Sequence, residues 1–436
     1  MRTTTVTAAG LLGLTLLAPT STATAAGETC RGEAATIVGT SGRDIIGTDG
    51  RDVVVTNRSG EVDTLGGDDL VCITGPNRPK GTQSQVQLDT GAGNDLVDGT
   101  AAPDWAVSGY LGSGADTFYG GGADDFIEAG EAGEDYSHLD SERDILSGGG
   151  GRDHFVSGQA GVPNNDHVRL GQGHDYLSHL GTSPDPISIS GGPGTDLLSL
   201  TPSAHSITID NAQGRLTQDG RATLGWSDLE GFSVYAPDQE AAAVTFVGTD
   251  EDEHLTVDSA SATVAASFDG GRDSLTTRSL LLDGSAVDGG AGRDLLYLVD
   301  RDRTLRLDLR DELLTSTDAV ATHRVDVRRF EDAELHARVA ELAGTSGPNE
   351  LSTSACAGTI RGRGGNDVLV RGSEEWSESS PPCRAERYTI DGDQGADVLR
   401  GWRGNDVLVG GAGRDHADGG NGRDRCVAEQ ERRCER

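Results

Sequence analysis

Near the C-terminus apolar side chains return every nine residues, at Leu399, Leu408, Ala417 and Cys426, each between residues that tolerate water. A three-residue unit with one apolar side chain at its centre has the period-two alternation of a short strand, the middle residue pointing in and its neighbours out. Between these units lie six-residue glycine-rich turns, GDQGAD, GWRGND, GGAGRD and GGNGRD, closed by Asp397, Asp406, Asp415 and Asp424. Strands this short bury little by themselves and need stacked neighbours to make a continuous core. The pattern predicts an all-β chain, a right-handed parallel β-roll or β-helix solenoid in one elongated unit.

Two such units complete one flattened coil, so each turn stacks on the turn 18 residues later, Asp397 facing Asp415 and Asp406 facing Asp424. Strands in a ladder lie about 4.8 Å apart, and an ion between stacked turns finds oxygens at roughly the 2.3–2.6 Å that calcium prefers. Without an ion, two carboxylates at that spacing repel by about 3.5 kcal/mol at an effective dielectric near 20. Glycine recurs because carbonyls must turn toward the ion in conformations open to a residue without Cβ. The candidate carbonyl donors are Gly392, Gly395, Gly401, Gly404, Gly410, Gly411, Gly413, Gly419, Gly420 and Gly422. A flexible Gly-rich linker would lack phased Asp and phased Leu, Val and Ile.

The register recurs upstream, less regularly. Copies end at Asp44, Asp52, Asp69, Asp95, Asp116, Asp125, Asp153, Asp175, Asp196, Asp273, Asp294 and Asp367, and GTSGPNEL places Asn349 where Asp belongs. The candidate metal ligands among them are Asp95, Asp116, Asp125, Asp153, Asp175, Asp196, Asp294 and Asp367, beside the four C-terminal aspartates. Steps of eight from Asp44 to Asp52 and ten from Asp125 to Asp135 break the nine-residue count. On these motifs the chain resembles the secreted bacterial calcium-binding proteins with hemolysin-type (RTX) nonapeptide repeats, over most of its length after residue 26. The resemblance implies that each turn aspartate gives a carboxylate and the turn glycines give carbonyls to Ca2+.

Residues 1–26 read as a secretory signal: Arg2, an apolar run from Val6 to Leu17, and Ala23-Thr24-Ala25-Ala26 as the cleavage site. That run is shorter than the ~20 residues of a membrane span, so an exported, extracellular chain without a membrane span is expected. Family members that leave by a one-step exporter typically carry a C-terminal signal, a pattern from which this chain departs. Its net charge of −35 repels nucleic acid and favours cations. Aromatic residues are only 4% of the chain, which suits a thin Leu/Val/Ile interior supplemented by metal better than a large core. The cysteines suggest local disulfides, Cys30–Cys72, Cys356–Cys383 and Cys426–Cys434, since no C-x2-C pair points to zinc.

The organisation read from the chain is a repeat block over 27–202, coils without calcium turns over 203–266, a repeat block over 267–300, further coils without such turns over 301–343, and a C-terminal repeat block over 344–436. An inserted globular domain is the alternative for the two motif-free stretches, and FEDAELHARVAEL satisfies both helical and strand periods. SHLDSE and GTSPDPIS interrupt the copies and read as loops.

No H-E-x-x-H and no G-x-S-x-G occurs, and His154, His174 and His416 read as solvated loop residues. Paired acids such as Asp124/Asp125 sit at turn ends, where a calcium role outweighs a glycosidase one. DGDQGADVLRGW lacks the glycine and glutamate of an EF-hand. The expectation is a non-enzymatic, extracellular, structural or adhesive calcium-binding protein whose further partners are cell-surface or matrix polysaccharide or protein. The alternative is a polysaccharide-modifying enzyme on a parallel β-helix, with its site on the face near 203–343.

Overall fold

The computed structural model describes residues 27–75, 84–130, 140–183, 186–236, 242–372 and 387–435. Residues 1–26 with the signal reading, Asp135 and Cys383 lie outside these. Among the described residues the regular structure is strand, apart from one 3-10 turn at Asn211–Gln213, and 38 strands are hydrogen-bonded into one sheet. Pairing is parallel almost throughout, each strand lying on the strand one coil later. Val398–Arg400 pairs with His416–Asp418, and Val407–Val409 with Arg425–Val427.

From Asp397 onward successive aspartates of a column are linked across 18 residues, the coil length that two nonapeptides give, whereas Asp367 reaches Asp397 across 30. Upstream the same links span 17, 26, 21, 28, 22, 34 and 37 residues. Extra residues leave the coil as loops or strands without disturbing the register of the strands that stack, since only the stacking face is held by the interior.

The interior is filled by apolar side chains, one inward residue on each short strand of the last coils and several on the longer strands. Val398 is half-buried, Leu399 buried and Arg400 exposed, the alternation expected of a strand with one inward residue. Inward positions of the last coils shrink from Ile390, Leu399 and Leu408 to Ala417, with Cys426 only partly buried.

Residues 203–266 and 301–343 belong to the same sheet. Ser206–Asp210 pairs in parallel with Ala242–Val247, and Leu295–Asp308 with Asp332–Ala343. Each stretch adds something the sequence did not announce: an antiparallel excursion, Arg215–Gln218 between Ser206–Asp210 and Arg221–Ser227, and Leu313–Thr317 between Leu295–Asp308 and Thr322–Arg328. FEDAELHARVAEL is strand from Asp332 onward, burying Ala333, Leu335, Ala337, Ala340 and Leu342, so period two prevails over the helical period.

Aromatic side chains make ring contacts in several parts of the sheet, among them Phe118 with Phe155, centroids 5.9 Å apart. Trp226, Phe232, Phe246 and Phe268 form a run of ring contacts with centroids 5.1, 5.8 and 4.9 Å apart. Pairs of this kind add about 0.5–1.5 kcal/mol each beyond their buried area.

Disulfides close both ends: Cys30 with Cys72, and Cys426 with Cys434.

Candidate metal centre

The turn builds its acid site from the backbone outward. At Gly392 a Cβ would sit 2.4 Å from Oδ2 of Asp397, five residues later, so the carboxylate folds back over the bare α-carbon. Gly395 has φ +142°, and a Cβ there would lie 1.5 Å from the carbonyl oxygen of Gly365 in the previous coil. Only glycine meets both demands, and each turn in register repeats them, as Gly410 does beneath Asp415 and Gly413 above Gly395. Backbone carbonyls and carboxylates therefore stack along the edges of the rod.

The carboxylates are tied from coil to coil. The amide of Asp397 donates to Oδ1 of Asp415 at 3.0 Å, and that of Asp406 to Oδ1 of Asp424 at 2.9 Å. The facing pairs expected from the spacing are thus brought together. Upstream, Asp125 donates to Asp153, Asp153 to Asp175 and Asp175 to Asp196, at 2.7–2.9 Å. Asp367 donates to Asp397 at 2.9 Å.

Followed through the strand registers, one column runs Asp125, Asp153, Asp175, Asp196, Glu230, Glu253, Asp273, Asp294, Glu331, Asn349, Asp367, Asp397, Asp415, Glu429. A second column carries Asp52, Asp69, Asp95, Asp116, Asp144 and Asp166, and reappears at the tail as Asp406, Asp424 and Glu435. Asp144, Asp166 and the glutamates escape a search for glycine-rich turns. What marks them is the strand that follows, as in DILS after Arg143 and EHLTV after Asp252.

One oxygen of each pair is accounted for; the other is not. Oδ2 of Asp95, Asp116, Asp125, Asp153, Asp175, Asp196, Asp294, Asp367, Asp397, Asp415 and Asp424 is buried without a hydrogen-bond partner. A buried carboxylate oxygen left bare costs several kcal/mol unless a cation or a proton meets it. Desolvation first, then neighbouring carboxylates, pushes Asp116 and Asp153 up to about 8 and Asp95 up to about 7, against the amide bonds each accepts. Desolvation likewise raises Asp397, Asp406 and Asp424.

Four positions behave differently. At Asp406 the amide of Trp402 donates to Oδ2 at 3.4 Å. At Asp52 the amide and hydroxyl of Thr48 bond to Oδ2 at 2.8 and 3.1 Å, and at Asn349 those of Thr345 bond to Oδ1 at 2.8 and 3.2 Å. These turns satisfy their own acceptor. Asp44, in the first coil, is exposed.

The histidines are not loop residues as a group. His154 is half-buried in a strand between Phe126 and Tyr176, its pKa lowered by desolvation, and His416 opens a strand; Nδ1 of His174 accepts the amide of Thr195 at 3.1 Å.

Among the described residues no three His, Cys, Asp or Glu side chains converge on one point. The donor set is one carboxylate per turn with stacked carbonyls, all hard oxygens, which is the chemistry calcium takes. A comparison with family models matches the RTX calcium-binding nonapeptide repeat at residues 110–133, 130–160, 342–373 and 391–426. These segments are RTX repeats. Calcium is the ion such repeats bind, and the bare buried oxygens of Asp116, Asp153, Asp367, Asp397 and Asp415 within them fit it. A comparison with curated proteins finds no match for the chain. No helix among the described residues is long and apolar enough to cross a membrane.

Proposed function

We propose that this is an extracellular calcium-ion-binding repeat protein with a structural or adhesive role, and that it folds on binding calcium. The observation that carries the reading is the row of buried, partnerless carboxylate oxygens at the RTX turns. A metal-free coil must protonate them or leave like charges stacked about 4.8 Å apart, whereas one divalent ion between turns removes both costs. The signal-like residues 1–26 and the two disulfides support export into an oxidising, calcium-rich medium. Affinity in the range of extracellular modules, about 10⁻⁴–10⁻³ M, would make folding wait for export. Circular dichroism in EDTA and then in millimolar calcium tests this; the β signal and melting temperature are expected to rise, and an unchanged spectrum would sink the reading.

A polysaccharide-modifying enzyme is the second reading, because a depression of about 480 Å³ lies over residues 306–361, lined by Arg306, Asp308, Asp311, Glu341 and Arg361. Two of its acids are engaged: Glu341 pairs with Arg306 at 3.0 Å and Asp308 with Arg363 at 2.5 Å. Both acids are thus tied to arginines rather than presented to a substrate, so we expect no turnover of common polysaccharides, esters or peptides in calcium. Turnover lost on mutating Asp308 or Glu341 would promote the enzyme.

A further inference from the structure

Residues 248–253, GTDEDE, lie outside every matched repeat and end in glutamate. Structurally they form a repeat turn. Glu253 occupies the acid column, and its amide donates to Oδ1 of Asp273 at 2.8 Å, as each turn aspartate does to the next. The amide of Arg272 donates to Oδ1 of Asp252 at 2.7 Å, the bond that Arg152 makes to Asp124 at 2.8 Å inside a matched repeat. A Cβ at Gly248 would sit 2.4 Å from Oε2 of Glu253, the relation Gly392 has to Asp397.

Glu253 is 2% exposed and Asp273 1%. Oε1 of Glu253 accepts the hydroxyl of Thr249 and the amide of Asn211, both at 2.8 Å, while Oε2 has no partner, nor has Oδ2 of Asp273. Threonine stands at the same place in the self-satisfied turns of Asp52 and Asn349. There the shorter side chain brings its outer oxygen onto the threonine amide and hydroxyl. The extra methylene of Glu253 lets the hydroxyl take Oε1 and leaves Oε2 bare.

We propose that Glu253 and Asp273 hold a calcium ion between the turns 248–253 and 268–273, a site in which a glutamate turn from the stretch read as lacking calcium turns is paired with the repeat turn of Asp273. Two buried anionic oxygens in successive coils match one divalent cation in charge, and both are hard donors. The inference rests on the reading of the rod as a calcium binder.

Trp226 provides a local probe. Its indole N–H donates to Oδ1 of Asn211 at 2.8 Å, and Asn211 donates to Glu253, so one side chain separates the ring from the site. The full chain is titrated with terbium under tryptophan excitation, and terbium emission is read before and after calcium displaces it. Glu253→Gln and Trp226→Phe are expected to remove the same share of the emission, and the double variant no more than either. Glu253→Asp keeps the charge but returns the outer oxygen to Thr249, so it is expected to lose that share as well while melting in calcium within a few degrees of the parent; it stands in if the glutamine variant fails to fold. Emission undiminished by both Glu253 variants overturns the site alone. No emission and no calcium binding in the parent chain would instead overturn the calcium reading.

Discussion

Acid should substitute for calcium. In the metal-free fold desolvation and stacked carboxylates raise Asp116 and Asp153 to about 8, and Asp95, Asp125 and Asp273 to about 7, from 3.8. A carboxyl whose folded pKa is raised contributes stability below its unfolded pKa and loses it as pH rises through the folded one. Between pH 8 and pH 5.5 the folded metal-free chain therefore binds protons that the unfolded chain does not. For Asp116 that interval corresponds to about 3 kcal/mol at 1.36 kcal/mol per pH unit; the ceiling is lower per group along the column, because one proton relieves two neighbours. About 1 kcal/mol from each of these five carboxyls sums to about 5 kcal/mol, the lower end of the roughly 5–15 kcal/mol margin by which domains are stable. The assay is far-UV circular dichroism in EDTA at pH 8, 7, 6 and 5.5, beside the same series in millimolar calcium. The β signal should grow as the EDTA samples are acidified and stay flat with calcium. Asp153→Asn, which keeps an acceptor for the amide of Asp125 but cannot ionise, should make the EDTA series less steep. A metal-free signal that is constant, or that falls on acidification, would refute this account of the column.

Asp406→Ala should lower calcium stoichiometry by calorimetry, whereas Asp210→Ala, whose carboxylate caps the turn at Asn211–Gln213 and pairs with Arg215 at 3.8 Å, should leave it unchanged. Phe246→Ala removes the centre of the aromatic stack and should cost about 3–5 kcal/mol, read as a lower melting temperature in calcium. Gly395→Ala sets a Cβ against the carbonyl of Gly365 and should abolish calcium-induced folding of the C-terminal block by hydrogen exchange, while its effect on residues 203–266 stays small.

The parts legible in the sequence were those where structure and chemistry share a local cause. A turn glycine and its aspartate lie five residues apart and touch, so Gly392 with Asp397 and Gly410 with Asp415 announce themselves, and the 18-residue step then dictates which carboxylates face each other. Cys426 and Cys434 pair because they are close along the chain. Glu230, Glu253 and Glu331 were not legible for the opposite reason. Their place is set by the amides and strands of neighbouring coils, 20 to 37 residues away, with no glycine signature needed at Glu230 or Glu331. The antiparallel excursions were hidden because a strand that leaves a coil and one that continues it have the same alternation; Leu216 and Leu314 pack inward as any coil residue does.

The narrowing interior at the tail bears on how such a rod can change length over evolution. Inward side chains diminish from Leu408 to Ala417 and Cys426, and the acid columns end on Glu429 and Glu435 beside the Cys426–Cys434 bridge. A coil stacked on this tip would cover Ala417, the partly buried Cys426 and Ala428, and the exposed Val427, all smaller than the Leu399 and Leu408 of the coil before. Intercalary growth buries more: a duplicated 18-residue segment such as 392–409 would slot between existing coils, add about 4.8 Å to the rod, and set its own leucines between those of the coils on either side.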